Sequence, residues 1–197
     1  MSYHPKGSSC QPLRPSRKPP ILVAIVNVIA TCKLNTTADL KRLGTARSFV
    51  YDVHKYQGKV AYFKDKSTKG KVSIFKSGKL ISVGTKNESD AFNDLRYASL
   101  KMKGLHMSDG RIYDFKIRNV VATVDLGIPI DVEKVSGKVS GIVYEPDQFP
   151  GAMFYLVPHP DVSVLLFATG KAVLAGLKSE LEVPTAAEDL ADFLSSL

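Results

Sequence analysis

From residue 21 to its C-terminus the chain is written twice, 92 residues apart. Ile25-Val26-Asn27-Val28-Ile29-Ala30-Thr31 returns as Ile117-Arg118-Asn119-Val120-Val121-Ala122-Thr123, and Leu34 and Asp39 return as Leu126 and Asp131. Val72, Phe75, Gly78, Lys79, Gly84, Lys86 and Glu88 recur at the same spacing as Val164, Phe167, Gly170, Lys171, Gly176, Lys178 and Glu180. Between these blocks Tyr51, Tyr56 and Gly58 match Tyr144, Phe149 and Gly151 at a spacing of 93, so the second copy gains one residue and loses it again in a loop. Solenoid repeats have periods of about 20 to 50 residues, and a period near 92 is too long for one. The pattern predicts a duplicated domain with pseudo-twofold symmetry: a first repeat over 21–110 and a second over 111–197, preceded by a tail over 1–20.

Within one copy the periodicity predicts strand, helix, four strands, helix. The run 25–31 is β-branched and reads as a strand with at least one buried face. Residues 39–46 carry Leu40 and Leu43 at helical spacing, echoed over 131–139 by Val132 and Val135. Short strands follow over 48–53, 59–64, 71–75 and 79–83, with Ser77-Gly78-Lys79 and Thr169-Gly170-Lys171 as tight hairpin turns. A closing helix over 88–103 sets Ala91, Leu95, Ala98 and Met102 on one face, and its counterpart runs from about 185 to 197. The class is α+β.

Composition narrows the function. A chain with 44% hydrophobic residues can bury a real core, and its net charge of +8 favours polyanionic partners. Two cysteines, Cys10 and Cys32, can make neither a disulfide framework nor a four-ligand zinc site, which suits a reducing compartment. The longest apolar stretch, 21–30, is broken by Asn27 and falls short of the roughly 20 residues that a membrane helix needs. Residues 1–20, with five prolines and four Lys or Arg, read as a flexible basic tail with no signal-peptide core. That tail is either a solubilising extension or a weak attraction to phosphates. His4, His54, His106 and His159 are scattered, no carboxylate cluster repeats, and no Gly-rich phosphate loop precedes a helix. Nothing points to an enzyme or to a cofactor.

Three segments resemble one family. Phe115-Lys116-Ile117-Arg118-Asn119-Val120-Val121 resembles the first strand of the second repeat in the TATA-box-binding proteins. Tyr144-Glu145-Pro146-Asp147-Gln148-Phe149-Pro150-Gly151 resembles their second stirrup loop, and Phe75-Lys76-Ser77-Gly78-Lys79 with Phe167-Ala168-Thr169-Gly170-Lys171 resembles their paired turns. The resemblance implies a saddle: a curved antiparallel sheet of ten strands, helices on its convex side, and a concave side lying along the minor groove of bent promoter DNA.

By family position, Tyr56 and Phe75 from the first repeat and Phe149 and Phe167 from the second are the wedges that part base steps. Without that pattern the same rings read as ordinary core aromatics. Asn27 and Asn119 fall at the centre, where an amide donates to adenine N3 or thymine O2. In a strand only one of Val28 and Ile29, and one of Val120 and Val121, can face the groove, and the family pattern favours Ile29 and Val121. Ile81, Val83, Val173 and Ala175 are expected on or beside the same surface, and Lys79, Lys86, Lys171 and Lys178 at its rim, as phosphate contacts or plain solvated lysines. Glu145 and Asp147 match positions where the family meets transcription factor B; as plain residues they are solvated turn acids.

The resemblance thus implies three partners: double-stranded promoter DNA, transcription factor B and the RNA polymerase pre-initiation complex. It implies no membrane, and a place on the nucleoid in an archaeal cytoplasm, or in a nucleus. Departures from the family pattern are specific. Tyr56-Gln57-Gly58-Lys59 stands where Phe-Pro-Gly is usual, and Val83 and Ala175 stand where threonine is frequent. The loop 65–71 is long and polar, and Pro184 interrupts the final helix near its start. These features favour an archaeal or otherwise divergent member. They also keep open a paralogue with relaxed sequence preference and, more remotely, a nucleic-acid-processing enzyme built on a saddle module.

Overall fold

In the computed structural model, which describes residues 20–197, two long strands hold the middle. β1 (Leu22–Lys33) and β6 (Tyr113–Asp125) pair antiparallel, with Val28 opposite Val120, Asn27 opposite Val121 and Ile29 opposite Asn119. On the far side of β1 lie β2 (Phe49–Tyr51), β3 (Val60–Phe63), β4 (Lys71–Phe75) and β5 (Lys79–Thr85), with β5 beside β1 and β2 at the edge. On the far side of β6 lie β7 (Gly151–Leu156), β8 (His159–Phe167) and β9 (Lys171–Leu177), with β9 beside β6 and β7 at the edge. Among the described residues nine strands form one sheet, in the order β2-β3-β4-β5-β1-β6-β9-β8-β7. Because Val28 and Val120 are themselves repeat equivalents, the pseudo-twofold axis passes between them.

Strand alternation sorts the side chains. Val28, Ala30, Val72, Ile74 and Leu80 are fully buried, as are Val120, Ala122, Val164, Leu166 and Leu174. All point to one face, where four helices cover them: α1 (Leu40–Leu43), α2 (Glu88–Gly104), α3 (Val132–Lys138) and α4 (Glu182–Ser195). From those helices Leu43, Leu95, Ala98, Met102, Val135, Ala186 and Leu190 enter the same apolar cluster. Each fully buried Leu, Val or Met contributes about 1.5–3 kcal/mol. The other face of the sheet carries no helix among the described residues.

The expected tenth strand is reduced to a single bridge, Val143 with Met153, closed by two N–H···O bonds of 2.9 Å. Gly141, at φ 86°, precedes it, and Pro146, which has no N–H to offer, follows. The Glu145 carbonyl then accepts from the Gln148 and Phe149 amides at 2.9 Å, so the chain turns away before a second pair can form.

Two helices are shorter than the periodicity suggests. α1 is one turn, capped by the Asp39 carboxylate accepting from the Arg42 amide at 3.1 Å; α3 begins after Asp131, which accepts from the Lys134 amide at 2.9 Å. Pro184 does not break the final helix. It sits in the first turn of α4, where a missing N–H forfeits no intrahelical bond. Both hairpin turns form as expected, with the Gly78 amide donating to the Phe75 carbonyl and the Gly170 amide to the Phe167 carbonyl, each at 2.9 Å. At φ 80° and 81° these glycines also press against the Thr36 and Ile128 carbonyls, so any side chain there would collide with backbone.

The polar loop between β3 and β4 is tied to α2. Buried Asp94 accepts from the Lys69 amide at 3.1 Å and the Gly70 amide at 2.7 Å, while Lys64 Nζ donates to the Gly70 carbonyl at 2.8 Å. No helix among the described residues is long and apolar enough to cross a membrane. The tail expected over 1–20 lies outside the described residues except for Pro20.

Candidate nucleic-acid interface

The uncovered face of the sheet is built by the residues that alternate with the core. Across its centre lie Ile81 and Val83 of β5, Asn27 and Ile29 of β1, Asn119 and Val121 of β6, and Val173 and Ala175 of β9. All are half-buried except Val83, which is 36% exposed. Val28 and Val120 are sealed beneath the helices, so Ile29 and Val121 are the members of each pair that face outward.

The central asparagines are held in matched ways. The Gly84 amide donates to Asn27 Oδ1 at 2.9 Å, and the Gly176 amide donates to Asn119 Oδ1 at 2.8 Å. A backbone N–H can only meet the oxygen of the side-chain amide, so each Nδ2 is left as the donor on the uncovered side. The surface therefore offers two hydrogen-bond donors in the middle of an apolar strip. This matches a partner whose own surface is shallow, apolar in its sugars and lined with acceptors.

Aromatic rings mark the two ends, and they differ. In the second half Phe149, 46% exposed, meets Phe167 edge to face, with centroids 5.9 Å apart. Beside Phe167 a mostly apolar hollow of about 720 Å³ opens, lined in part by Leu22, Val23, Thr123, Lys171 and Val173. In the first half Tyr56 does not stand against Phe75. It is 68% exposed, and its ring contact is with Tyr62, at 6.2 Å.

The sheet register explains the difference and corrects one equivalence. Phe75 lies opposite Val60, whereas Phe167 lies opposite Gly151. Val60, and not Gly58, is the counterpart of Gly151, and the first stirrup loop is two residues longer than the second between Tyr51 and that position. The matched glycines are coincidental identities on either side of that insertion.

Lys79 and Lys171 open β5 and β9, Lys86 and Lys178 follow those strands, and all four are exposed. Glu145 and Asp147 are exposed on the second stirrup and make no ion pair among the described residues. The same face includes residues the motif comparison missed: Tyr62 and Ser73 in the first half, Met153, Ser163 and Leu165 in the second, each paired across the strands with an outward neighbour. Strand parity carried that signal, since Ser73 and Leu165 stand two residues before Phe75 and Phe167. Arg118 was also missed; its Nε donates to Thr31 Oγ1 at 2.9 Å, across the central pair of strands.

Charge chemistry away from the centre is modest. The Lys116 ammonium, at 3.0 Å, and Lys33, at 3.5 Å, hold the Asp114 carboxyl below its ordinary value. Burial pushes the Cys32 thiol up to about 12, which leaves it unreactive. No group of three or more metal-ligating side chains occurs among the described residues.

Comparison with known proteins agrees with this architecture. A family model described as "Transcription factor TFIID (or TATA-binding protein, TBP)" matches residues 22–103 and 114–197. The TATA-box-binding protein of Cenarchaeum symbiosum is 36% identical over 170 residues, covering 84% of this chain and 90% of that protein. The one from Methanocaldococcus jannaschii is 31% identical over 176 residues, covering 89% and 94%. The solved structure of Methanococcus jannaschii TBP superposes with a TM-score of 0.78 at 30% identity, covering 89% of this chain and 99% of that one. Two matched halves, relatives spanning nearly the whole described chain and a shared sheet lead to one assignment: the chain belongs to the TATA-binding protein family.

Proposed function

We propose that the uncovered sheet face binds and bends A·T-rich promoter duplex through its minor groove, and that the chain acts as a non-enzymatic general factor of transcription initiation. The observation that carries this reading is the pair of asparagines, each fixed through its oxygen by a glycine amide and each presenting Nδ2 within an apolar strip. A·T pairs offer only acceptors in the minor groove, whereas G·C adds the guanine N2 donor, which would meet these amide donors head on. Ile29, Ile81, Val83, Val121, Val173 and Ala175 supply apolar contact to sugars and base edges. Phe149 and Phe167 act as wedges at one end, Phe75 lies at the other end of the strip, and Lys79, Lys86, Lys171 and Lys178 meet phosphates.

The test is a gel-shift comparison of a TATA duplex and a scrambled duplex at fixed salt, with Asn27→Ala and Asn119→Ala variants. Each substitution is expected to weaken TATA binding by about 1–3 kcal/mol and to narrow the difference between the duplexes. Equal binding of both duplexes by the unaltered chain would favour the second reading, a family member with relaxed preference. That reading draws on Val83 and Ala175, which bring no hydroxyl to the central base steps.

The assembled complex then recruits transcription factor B and RNA polymerase. Glu145 and Asp147 project from the second stirrup as carboxylates with no ion pair among the described residues, suited to basic side chains. Reversing both charges is expected to abolish the ternary complex while DNA binding persists.

A further inference from the structure

The two ends of the uncovered face are built for different tasks. A Cβ added at Gly151 would lie 2.7 Å from Phe149 Cε1 and 3.1 Å from Phe167 Cε1. The missing side chain is what lets those rings meet edge to face. At the equivalent position of the first half Val60 fills the slot opposite Phe75 and is only 9% exposed. The loop that leads into it carries three consecutive residues at positive φ: Tyr56 at 50°, Gln57 at 57° and Gly58 at 67°. The Tyr51 hydroxyl donates to the Gly58 carbonyl at 3.2 Å and fastens that turn. Tyr56 is thereby directed onto Tyr62, whose ring also lies beneath Lys71 Nζ at 4.3 Å. Phe75 has no aromatic partner among the described residues.

Parting a base step costs a few kcal/mol, recovered only if a stiff apolar wedge fills the gap. Two rings that brace each other meet that requirement. A tyrosine does so poorly, because its hydroxyl would lose its hydrogen bonds between the bases. The Lys71 ammonium and the Tyr56 and Tyr62 rings instead suit contact with the sugar-phosphate backbone.

We infer that this protein kinks its duplex at one end only: Phe149 and Phe167, meeting over Gly151, part a base step, while the first stirrup rests on the backbone and leaves its step stacked. Val60 is the residue that closes the first slot. The inference rests on the proposal that this face binds duplex DNA, and it makes the two ends of the site unequal, so the protein has a preferred direction on a symmetric A·T run.

The test uses the full chain with a set of A·T-rich duplexes, each carrying one 2-aminopurine in place of adenine, whose fluorescence rises on unstacking. Tyr56→Ala and Phe149→Ala both alter exposed positions, and circular dichroism checks that each variant is folded. One bright step per complex is expected, silenced to the level of free duplex by Phe149→Ala and unchanged by Tyr56→Ala. Two separated bright steps, one of them lost in Tyr56→Ala, would overturn the inference while leaving duplex binding intact. So would a gel-shifted complex with no bright step. Absence of any complex would overturn the duplex-binding reading and this inference with it.

Discussion

At the scale of single residues, Gly151 and three carboxylates bear the sharpest expectations. Gly151→Ala would press a methyl against the far edges of two rings and the Leu165 side chain, which can yield. Overpacking of this kind costs about 1–3 kcal/mol, so the variant is expected to fold with a slightly lowered denaturation midpoint. On the proposed reading of the uncovered face, bending of a TATA duplex, followed by energy transfer between end-labelled fluorophores, is expected to fall by much more than the stability. The Ser67 amide and the Ser48 hydroxyl hold the Asp65 carboxyl below its ordinary value of 3.8. Asp109 is held down in the same direction by the Arg111 amide and the Tyr113 hydroxyl, and Asp114 by Lys116 and Lys33. A carboxyl depressed on folding stabilises the protein fully above its unfolded value, and that contribution is lost as pH falls through the lower folded value. Thermal melting temperature is therefore expected to drop below about pH 4, and less steeply in Asp65→Asn. An unchanged acid limb in that variant would contradict the assignment.

At the scale of elements, local pattern and neighbour-dependent geometry part company. Alternation along 25–31 and 117–123 was legible because facing depends only on parity, and the α2 face of Ala91, Leu95, Ala98 and Met102 was legible because its helical spacing is unbroken; all four are fully buried. Helix bounds were less so, since capping by Asp39 and Asp131 fixes starts to the residue while the ends depend on packing. The tenth strand failed because a strand exists only where its partner is met at successive bonded positions, and at Glu145, the next one, the carbonyl is taken by the Gln148 and Phe149 amides of the turn. The equivalence of Gly58 with Gly151 failed for a related reason, because only the partner strand reveals which residue stands opposite a phenylalanine. Asp94 shows the same dependence on distant chain: no local motif marks it, yet it fastens the β3–β4 loop. Asp94→Ala would leave the Lys69 and Gly70 amides without that partner and is expected to cost about 2–4 kcal/mol, read as a shift in urea midpoint at constant slope. A surface-like change of a few tenths would show that the loop is held by its other bonds, those of Lys64 to the Gly70 carbonyl and of Ser48 and Thr68 to Asp65.

At the scale of the whole molecule, the halves are fastened to each other through repeat equivalents. The Glu88 amide donates to a Glu180 carboxylate oxygen, and the Glu180 amide returns the bond to Glu88 Oε1 at 2.8 Å. Replacing either glutamate with alanine orphans a half-buried amide and is expected to cost about 1–2 kcal/mol. Because both bonds close one ring, the double variant is expected to lose less than the two single losses combined, and strict additivity in a denaturation cycle would count against the reciprocal clasp. Charge is also divided between the halves. On α2 the acids Glu88, Asp90 and Asp94 are balanced by Arg96, Lys101 and Lys103, whereas α4 carries Glu182, Glu188, Asp189 and Asp192 and no base, so the acidic helix lies in the second half.

The seam between β1 and β6 is complementary to itself. Asn27 faces Val121 and Asn119 faces Ile29, and shifting either partner by 92 residues exchanges the two pairs about Val28 and Val120. An edge that is complementary to its own copy closes by twofold association. Two copies of one half thus present the same seam to each other, and joining them in a single chain lets one stirrup differ from the other, as Val60 and Gly151 do.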